Sequence, residues 1–193
     1  MEEARPSTAA TEEIEIAVAL VKAGNHEAYT SIIHRFEKPM YIYCYHLLKN
    51  REEAQDAVQE IFIKAYQDIH RYQPTVSFSA WLYKLAYHHS LNLLKKQHRR
   101  LRIMAHFKQQ EETQEHIPEQ KSAITELLAY LTPEERHILL LKAVEQYNFE
   151  EIAQIMDGKP ATVRKKYQRL RQKLVEQATK QRRVGGLFAQ SNE

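Results

Sequence analysis

Apolar residues recur along most of this chain at the three- and four-residue spacing of one helix face. Ile14, Ala17, Val18 and Val21 mark a first short helix, stopped by Gly24-Asn25. Asn25 can cap a second helix running to about Lys49, rich in aromatics (Tyr29, Phe36, Tyr41, Tyr43, Tyr45); Pro39 is expected to kink or break it. The third stretch, Arg51 to His70, is the most sharply patterned. Asn50 followed by Glu53 is an N-x-x-E variant of the capping box, and Ala54, Val58, Ile61, Phe62, Ala65 and Ile69 then share one face. Tyr72 to Ser77 reads as a loop, with Pro74 as breaker and Ser77 as cap. A long helix follows from Phe78 to about Arg102, packed through Leu82, Leu85, Ala86, His89 and Leu93.

Residues 102–120 lose the periodicity and include Gln109-Gln110-Glu111-Glu112-Thr113-Gln114-Glu115, the composition of a linker. A stretch of that length reaches at most roughly 60–70 Å. Beyond it, Ile124, Leu127, Leu128 and Leu131 predict a helix near Lys121. Thr132-Pro133-Glu134-Glu135 supplies a cap, a proline at the first helical position and an acid at the third, opening a helix that carries Ile138, Leu139, Leu141 and Val144. Asn148-Phe149-Glu150-Glu151 repeats that logic for a short helix with Ile152, Ala153, Ile155 and Met156. Asp157-Gly158 turns the chain, and Pro160 opens a last helix with Val163, Tyr167, Leu170 and Leu174 inward. The expected architecture is all-α: two small helical domains joined by a flexible linker, the second containing a helix-turn-helix. The expected boundaries are a disordered start at 1–12, a first domain at 13–101, the linker at 102–120, a second domain at 121–180 and a disordered tail at 181–193.

Composition supports this picture. Only 4 glycines and 6 prolines interrupt long runs of helix formers. No apolar run approaches the roughly 20 residues of a membrane span, and residues 1–10 hold no apolar signal core, so a cytoplasmic protein is expected. Cys44, the single cysteine, fits a small buried hydrophobe. The net charge of +3 hides an uneven distribution: Lys159 to Arg183 carry ten basic residues and one acid, Glu176. That asymmetry points to a polyanion, foremost nucleic acid, as partner of the C-terminal end.

Three further patterns bear on chemistry. On the third helix Asp56, Gln59, Glu60 and Ile63 share a second stripe; it is either a solvated surface with one stray isoleucine or an acidic docking face for a basic partner. On the long helix, Trp81, Lys84, His88, Asn92, Lys95, Lys96 and Arg99 lie off the packing face and grade from aromatic to basic. In the last helix Thr162, Arg164, Lys165, Lys166 and Arg169 point outward, as a helix entering a major groove requires; arginine suits bidentate contact with guanine, lysine and threonine suit phosphates. A basic amphipathic helix with no specific partner is the plain alternative. No cysteine pair or H-E-x-x-H accompanies the histidines, and no nucleophile–base set or phosphate-cradling glycine loop occurs. Neither metal nor cofactor is expected, and no enzymatic activity.

Leu131-Thr-Pro-Glu-Glu-Arg136, Phe149-Glu-Glu-Ile-Ala153 and Thr162-Val-Arg-Lys-Lys-Tyr-Gln-Arg169 resemble the C-terminal promoter-reading domain of bacterial sigma factors. Asp56-Ala-Val-Gln-Glu-Ile-Phe-Ile-Lys-Ala-Tyr66, with Phe78-Ser-Ala-Trp-Leu82, resembles the N-terminal domain of their extracytoplasmic-function (ECF) group. The likeness covers roughly Ala17 to Ala178, in order. It implies a factor that joins core RNA polymerase, recognises promoter −35 and −10 elements and helps to open the DNA. By position, Asp56, Gln59, Glu60 and Ile63 would meet the clamp of the largest catalytic subunit, and the C-terminal domain would meet the flap. Trp81, Lys84, His88, Asn92, Lys95, Lys96 and Arg99 would face the −10 element, and Thr162, Arg164, Lys165, Lys166 and Arg169 the −35 element. The resemblance also implies an anti-sigma factor as partner, a base-receiving rim at Gln73 to Ser77, and stacking aromatics among Tyr72, Phe78, Trp81, Tyr83 and Tyr87. Phe78, and after it Trp81, suits the core instead.

The chain departs from the family's pattern in three places. His88 and Asn92 stand where asparagine and aspartate are usual; Asp157 takes the turn's usual glycine position, with Gly158 one residue later; and Lys159 replaces a capping serine or threonine. The rival expectation is a stand-alone helix-turn-helix regulator with an N-terminal sensing domain, which would grip duplex DNA without a polymerase.

Overall fold

A computed structural model describes the backbone of residues 8–107 and 128–189 and the side chains of 11–103 and 128–179. Among these residues every regular element is a helix. The described residues divide into two compact units: the first is built from residues before 112 together with 153–157, and the second from the described residues of 113–152 and from 158 onward.

In the first unit α1 (Thr8–Lys22) buries Ile14, Ala17, Val18 and Val21 as the spacing predicts. Gly24 turns the chain at φ +97, a conformation that suits a residue without Cβ. Asn25 then caps a short 3-10 turn (His26–Ala28) rather than α2 itself, accepting from the Ala28 N–H at 3.4 Å. Helix α2 (Tyr29–Leu48) runs uninterrupted through Pro39. Its face of Ile32, Phe36, Met40, Tyr43, Cys44 and Leu47 is buried on both sides of the proline, so packing outweighs the lost backbone hydrogen bond. Burial pushes the Cys44 thiol up to about 12, leaving it an unreactive hydrophobe.

Helix α3 (Arg51–Asp68) starts where expected: Asn50 is extended and its side chain accepts from the Glu53 N–H at 3.0 Å. All six apolar positions predicted to face inward are buried. The Tyr29 hydroxyl donates to the Phe62 carbonyl at 2.7 Å, tying α2 to α3. A 3-10 turn (Ile69–Arg71) and a loop lead to α4 (Phe78–Phe107), which packs on α2 and α3 through Phe78, Leu82, Tyr83 and Ala86. Helix α4 outlasts its expected end at Arg102 by five residues, because residues 103–107 include the helix formers methionine and alanine and no proline or glycine to stop it. The remainder of the expected linker, and the expected helix start near Lys121, lie outside the described residues.

In the second unit α5 (Pro133–Ala143) opens on a full capping box: Thr132 Oγ1 accepts from the Glu135 N–H at 3.3 Å, and Glu135 Oε2 from the Thr132 N–H at 2.9 Å. Its buried face is His137, Ile138, Leu140 and Leu141. The expected Leu139 is only half-buried and Val144 is 54% exposed, because the helix ends at Ala143 and its inward stripe is centred one residue earlier. Helix α6 (Phe149–Ile155) is short, and α7 runs from Pro160 to Ala189 with Val163 and Leu170 buried. The expected disordered tail from 181 is helical backbone through Gly185 and Gly186 to Ala189. Helix growth adds one hydrogen bond per residue fixed, and the glutamines, lysines and arginines leading up to Arg183 favour it.

His137 is fully buried, and burial, then the neighbouring Arg136 guanidinium, push its pKa from 6.5 down to about 3. Between these values the unfolded chain binds a proton that the folded chain refuses. Stability therefore falls as pH drops below about 6.5, by at most about 1.4 kcal/mol per pH unit from this group. A His137→Phe variant is expected to show a shallower loss of unfolding midpoint between pH 7 and pH 5 than the unsubstituted chain. Parallel loss in both proteins would show that His137 does not set the slope.

Candidate polymerase and nucleic-acid interfaces

Burial of one side of α3 leaves Asp56, Gln59, Glu60 and Ile63 exposed together on the other. Ile63 is 58% exposed, a large apolar side chain set among acids. Glu60 lies 3.6 Å from His89 Nε2 of α4, outside hydrogen-bond reach. Burial, with Lys64, lowers the His89 pKa more than Glu60 raises it, so at neutral pH this imidazole adds no positive charge beside the acidic stripe. Tyr66 extends the stripe by one turn: it is part exposed, its hydroxyl meets His26 Nδ1 at 2.6 Å, and its ring packs edge-on against Tyr29 at 5.0 Å. The sequence reading missed Tyr66, although its place three residues after Ile63 was the signal available.

Helix α4 holds Trp81, Lys84, His88, Asn92, Lys95, Lys96 and Arg99 on one face, from half-buried at its start to exposed beyond His88. At 1.5 Å per residue the stripe from Trp81 to Arg99 is about 27 Å long. The expected supply of stacking aromatics is smaller than the sequence suggested. Tyr72, Phe78, Tyr83 and Tyr87 are all buried: Tyr83 packs edge-on against Tyr43 at 5.2 Å, and Phe78 against Tyr72 at 5.3 Å. Phe78, Tyr83 and Tyr87 fall on the buried side of α4, and Tyr72 closes against that side from the segment before the helix; there burial of a large ring outweighs keeping it for a partner. Trp81 alone of the five is left part exposed, its ring 5.5 Å from Tyr72 and 5.3 Å from Phe78. The loop before α4 exposes Gln73, Pro74 and Thr75, and Ser77 caps the helix through the Ala80 N–H at 3.2 Å.

In the second unit Asn148 Oδ1 accepts from the Glu151 N–H at 2.8 Å and Glu151 Oε2 from the Asn148 N–H at 2.7 Å, so α6 starts on a capping box. The left-handed residue of the turn is Asp157, at φ +50, and not Gly158. Aspartate tolerates that region better than most side chains and does a glycine's work there. Lys159 serves α7 through its carbonyl, which accepts from Thr162 and Val163 at 3.0 and 3.1 Å.

The five expected groove residues divide into two sets. Thr162, Lys165 and Arg169 are exposed. Arg164 pairs with Glu150 at 3.3 Å and stacks over the Phe149 ring at 5.4 Å, and Lys166 reaches Glu134 at 2.5 Å. Tyr167 is half-buried against Phe149, ring centres 5.5 Å apart. These contacts bind α7 to the starts of α5 and α6 and, through Lys173 and Glu135 at 2.5 Å, continue along it.

Family models described as Sigma-70 region 2 and Sigma-70, region 4 match residues 32–100 and 121–174, together more than half of the chain. The ECF RNA polymerase sigma factor SigW of Bacillus subtilis (strain 168) is 26% identical over 172 residues, 81% of this chain and 92% of that protein. The ECF RNA polymerase sigma-E factor of Haemophilus influenzae is 27% identical over 170 residues, 80% of this chain and 89% of that protein. Among solved structures, CnrH in complex with the cytosolic domain of CnrY has the same fold at a TM-score of 0.66 and 19% identity, over 85% of this chain and 96% of that one. The sigma factor RpoE, in complex with the anti-sigma factor NepR from Bartonella quintana, gives 0.63 at 18% identity, over 77% and 94%.

The turn carries a testable consequence. Asp157→Val places a β-branched residue at positive φ and is expected to cost about 1–2 kcal/mol in denaturant unfolding, whereas Asp157→Asn stays within about 0.5 kcal/mol. Equal midpoints for the two variants would contradict the assigned backbone.

Proposed function

The chain belongs to the extracytoplasmic-function group of the sigma-70 family, and from that premise we propose how its faces divide the work of starting transcription. A sigma factor binds core RNA polymerase, directs it to promoters and promotes DNA opening; it is an initiation factor and not an enzyme. In our reading the acidic stripe of α3, Asp56, Gln59, Glu60 and Ile63, docks on the clamp of the largest subunit. Trp81, Lys84, His88, Asn92, Lys95, Lys96 and Arg99 of α4 meet the −10 element as its strands part. Trp81 offers a stacking surface and the cations follow the backbone, which offsets the cost of unstacking. Thr162, Lys165 and Arg169 of α7 contact the −35 element directly, and Arg164 and Lys166 reach DNA by exchanging a carboxylate for a phosphate. The second unit also meets the polymerase flap.

The observation that supports this division best is the pair of opposite-signed stripes on α3 and α4, both exposed by a core that buries the reverse side of each helix. We also propose an anti-sigma factor as inhibitor, since both structural relatives named above were solved in complexes, one with a protein called an anti-sigma factor. No helix among the described residues is long and apolar enough to cross a membrane, and we place the protein's work in the bacterial cytoplasm.

Two sets of variants test the assignment. Asp56→Lys with Glu60→Lys is expected to abolish capture of core polymerase while leaving the unfolding midpoint unchanged; full capture would remove α3 from the polymerase interface. Arg169→Ala is expected to lower run-off transcription roughly 5- to 150-fold, the range for loss of a base contact. Lys165→Ala is expected to flatten the salt dependence of promoter binding by about one ion. If the protein instead shifts duplex DNA tightly by itself and leaves core polymerase unable to initiate, it is a stand-alone regulator.

A further inference from the structure

Helix α1 ends before residue 32, where the match to the region 2 family model begins, yet two of its side chains close on the loop that precedes α4. The Glu15 carboxylate accepts from the Phe78 backbone N–H at 2.8 Å, capping the first turn of α4 from another helix. The same carboxylate lies 2.9 and 3.0 Å from the Tyr72 hydroxyl, which is also 2.8 Å from the Val76 carbonyl. One phenolic proton is thus shared between α1 and the far end of the loop. Burial first, then Glu15, raise the Tyr72 pKa, so the hydroxyl stays a donor. Two helical turns along, Lys22 Nζ donates to the Tyr72 carbonyl at 2.5 Å and sits 5.2 Å over its ring.

Both ends of the loop are therefore fixed by α1, while Gln73, Pro74 and Thr75 between them stay exposed. Inside the loop the Thr75 N–H reaches the Gln73 carbonyl at 2.8 Å, a tight turn whose position depends on those ends. The loop adjoins Trp81, which rests on the same Tyr72 and Phe78 rings. We propose that Glu15 and Lys22, acting through Tyr72, are positioning residues for promoter opening: they hold the loop and Trp81 preformed to receive an unstacked base. A preformed site spends no binding energy on ordering itself when the base arrives. The proposal rests on the reading of α4 as the face that meets the opening strands.

The experiment uses the full chain with core polymerase, and compares run-off from a duplex promoter with run-off from the same promoter carrying a pre-opened −10 segment. Glu15→Ala and Tyr72→Phe, which keeps the ring and deletes the hydroxyl, are expected to cut duplex run-off tenfold or more and pre-opened run-off less than threefold. Lys22→Ala is expected to follow the same pattern, Glu15→Gln to fall between, and core capture to be unchanged. Equal losses on both templates together with a lowered unfolding midpoint would make the Glu15–Tyr72–Lys22 contacts fold-holding only, and no loss on either template would remove their role. A Trp81→Ala control separates the two levels. If it is selective for the duplex while the Glu15, Lys22 and Tyr72 variants are silent, the positioning role alone is wrong; if it too is silent, the reading of α4 fails and the positioning proposal with it.

Discussion

Each helix of the first unit can bury only one side, and that constraint decides which residues are left to act. Ala54, Val58, Ile61 and Phe62 of α3 are buried against α2 and α4, so the acids and Ile63 between them must face out. The burial of Leu82, Tyr83, Ala86 and Tyr87 does the same for the cationic stripe of α4. At roughly 1.5–3 kcal/mol for each large apolar side chain buried, rotating either helix to hide its polar stripe would be prohibitive. Both exposed faces are by-products of the same packing, which fixes the direction in which each helix presents its polar side.

Electrostatics works differently in the two units. On α3 the acids stand exposed, with a neutral His89 beside them, so their field is available to a basic partner. On α7 two of the cations, Arg164 and Lys166, are engaged with Glu150 and Glu134 at a solvent-exposed surface. Such pairs contribute about 0–1 kcal/mol, so a phosphate can replace the carboxylate at little cost. They also keep long side chains directed along α7 before DNA arrives, which reduces the ordering needed on binding.

Much of this was legible in the sequence because it depends on neighbours within one helical turn. The caps at Asn50, Ser77, Thr132 and Asn148, the turn at Asp157 and the buried stripe of α3 all follow from local spacing. What spacing could not settle was competition between a local rule and packing. Pro39 should break α2, yet the face buried on both sides of it keeps the helix whole. On spacing alone Trp81 suits the core better than Tyr83 and Tyr87, since a tyrosine's polar tip suits either a core or a surface, yet packing buries both tyrosines and leaves Trp81 part exposed.

The sequence by itself determined an all-helical chain, the place of its helix-turn-helix, and the residues of its acidic and basic stripes, because periodicity assigns each residue to a face. Only the tertiary structure decided which aromatics are spent on the core, which cations on α7 are already paired, and that Glu15 and Lys22 reach Tyr72 some fifty residues away. Those outcomes depend on the distance between helices remote in sequence, and no local pattern encodes that distance.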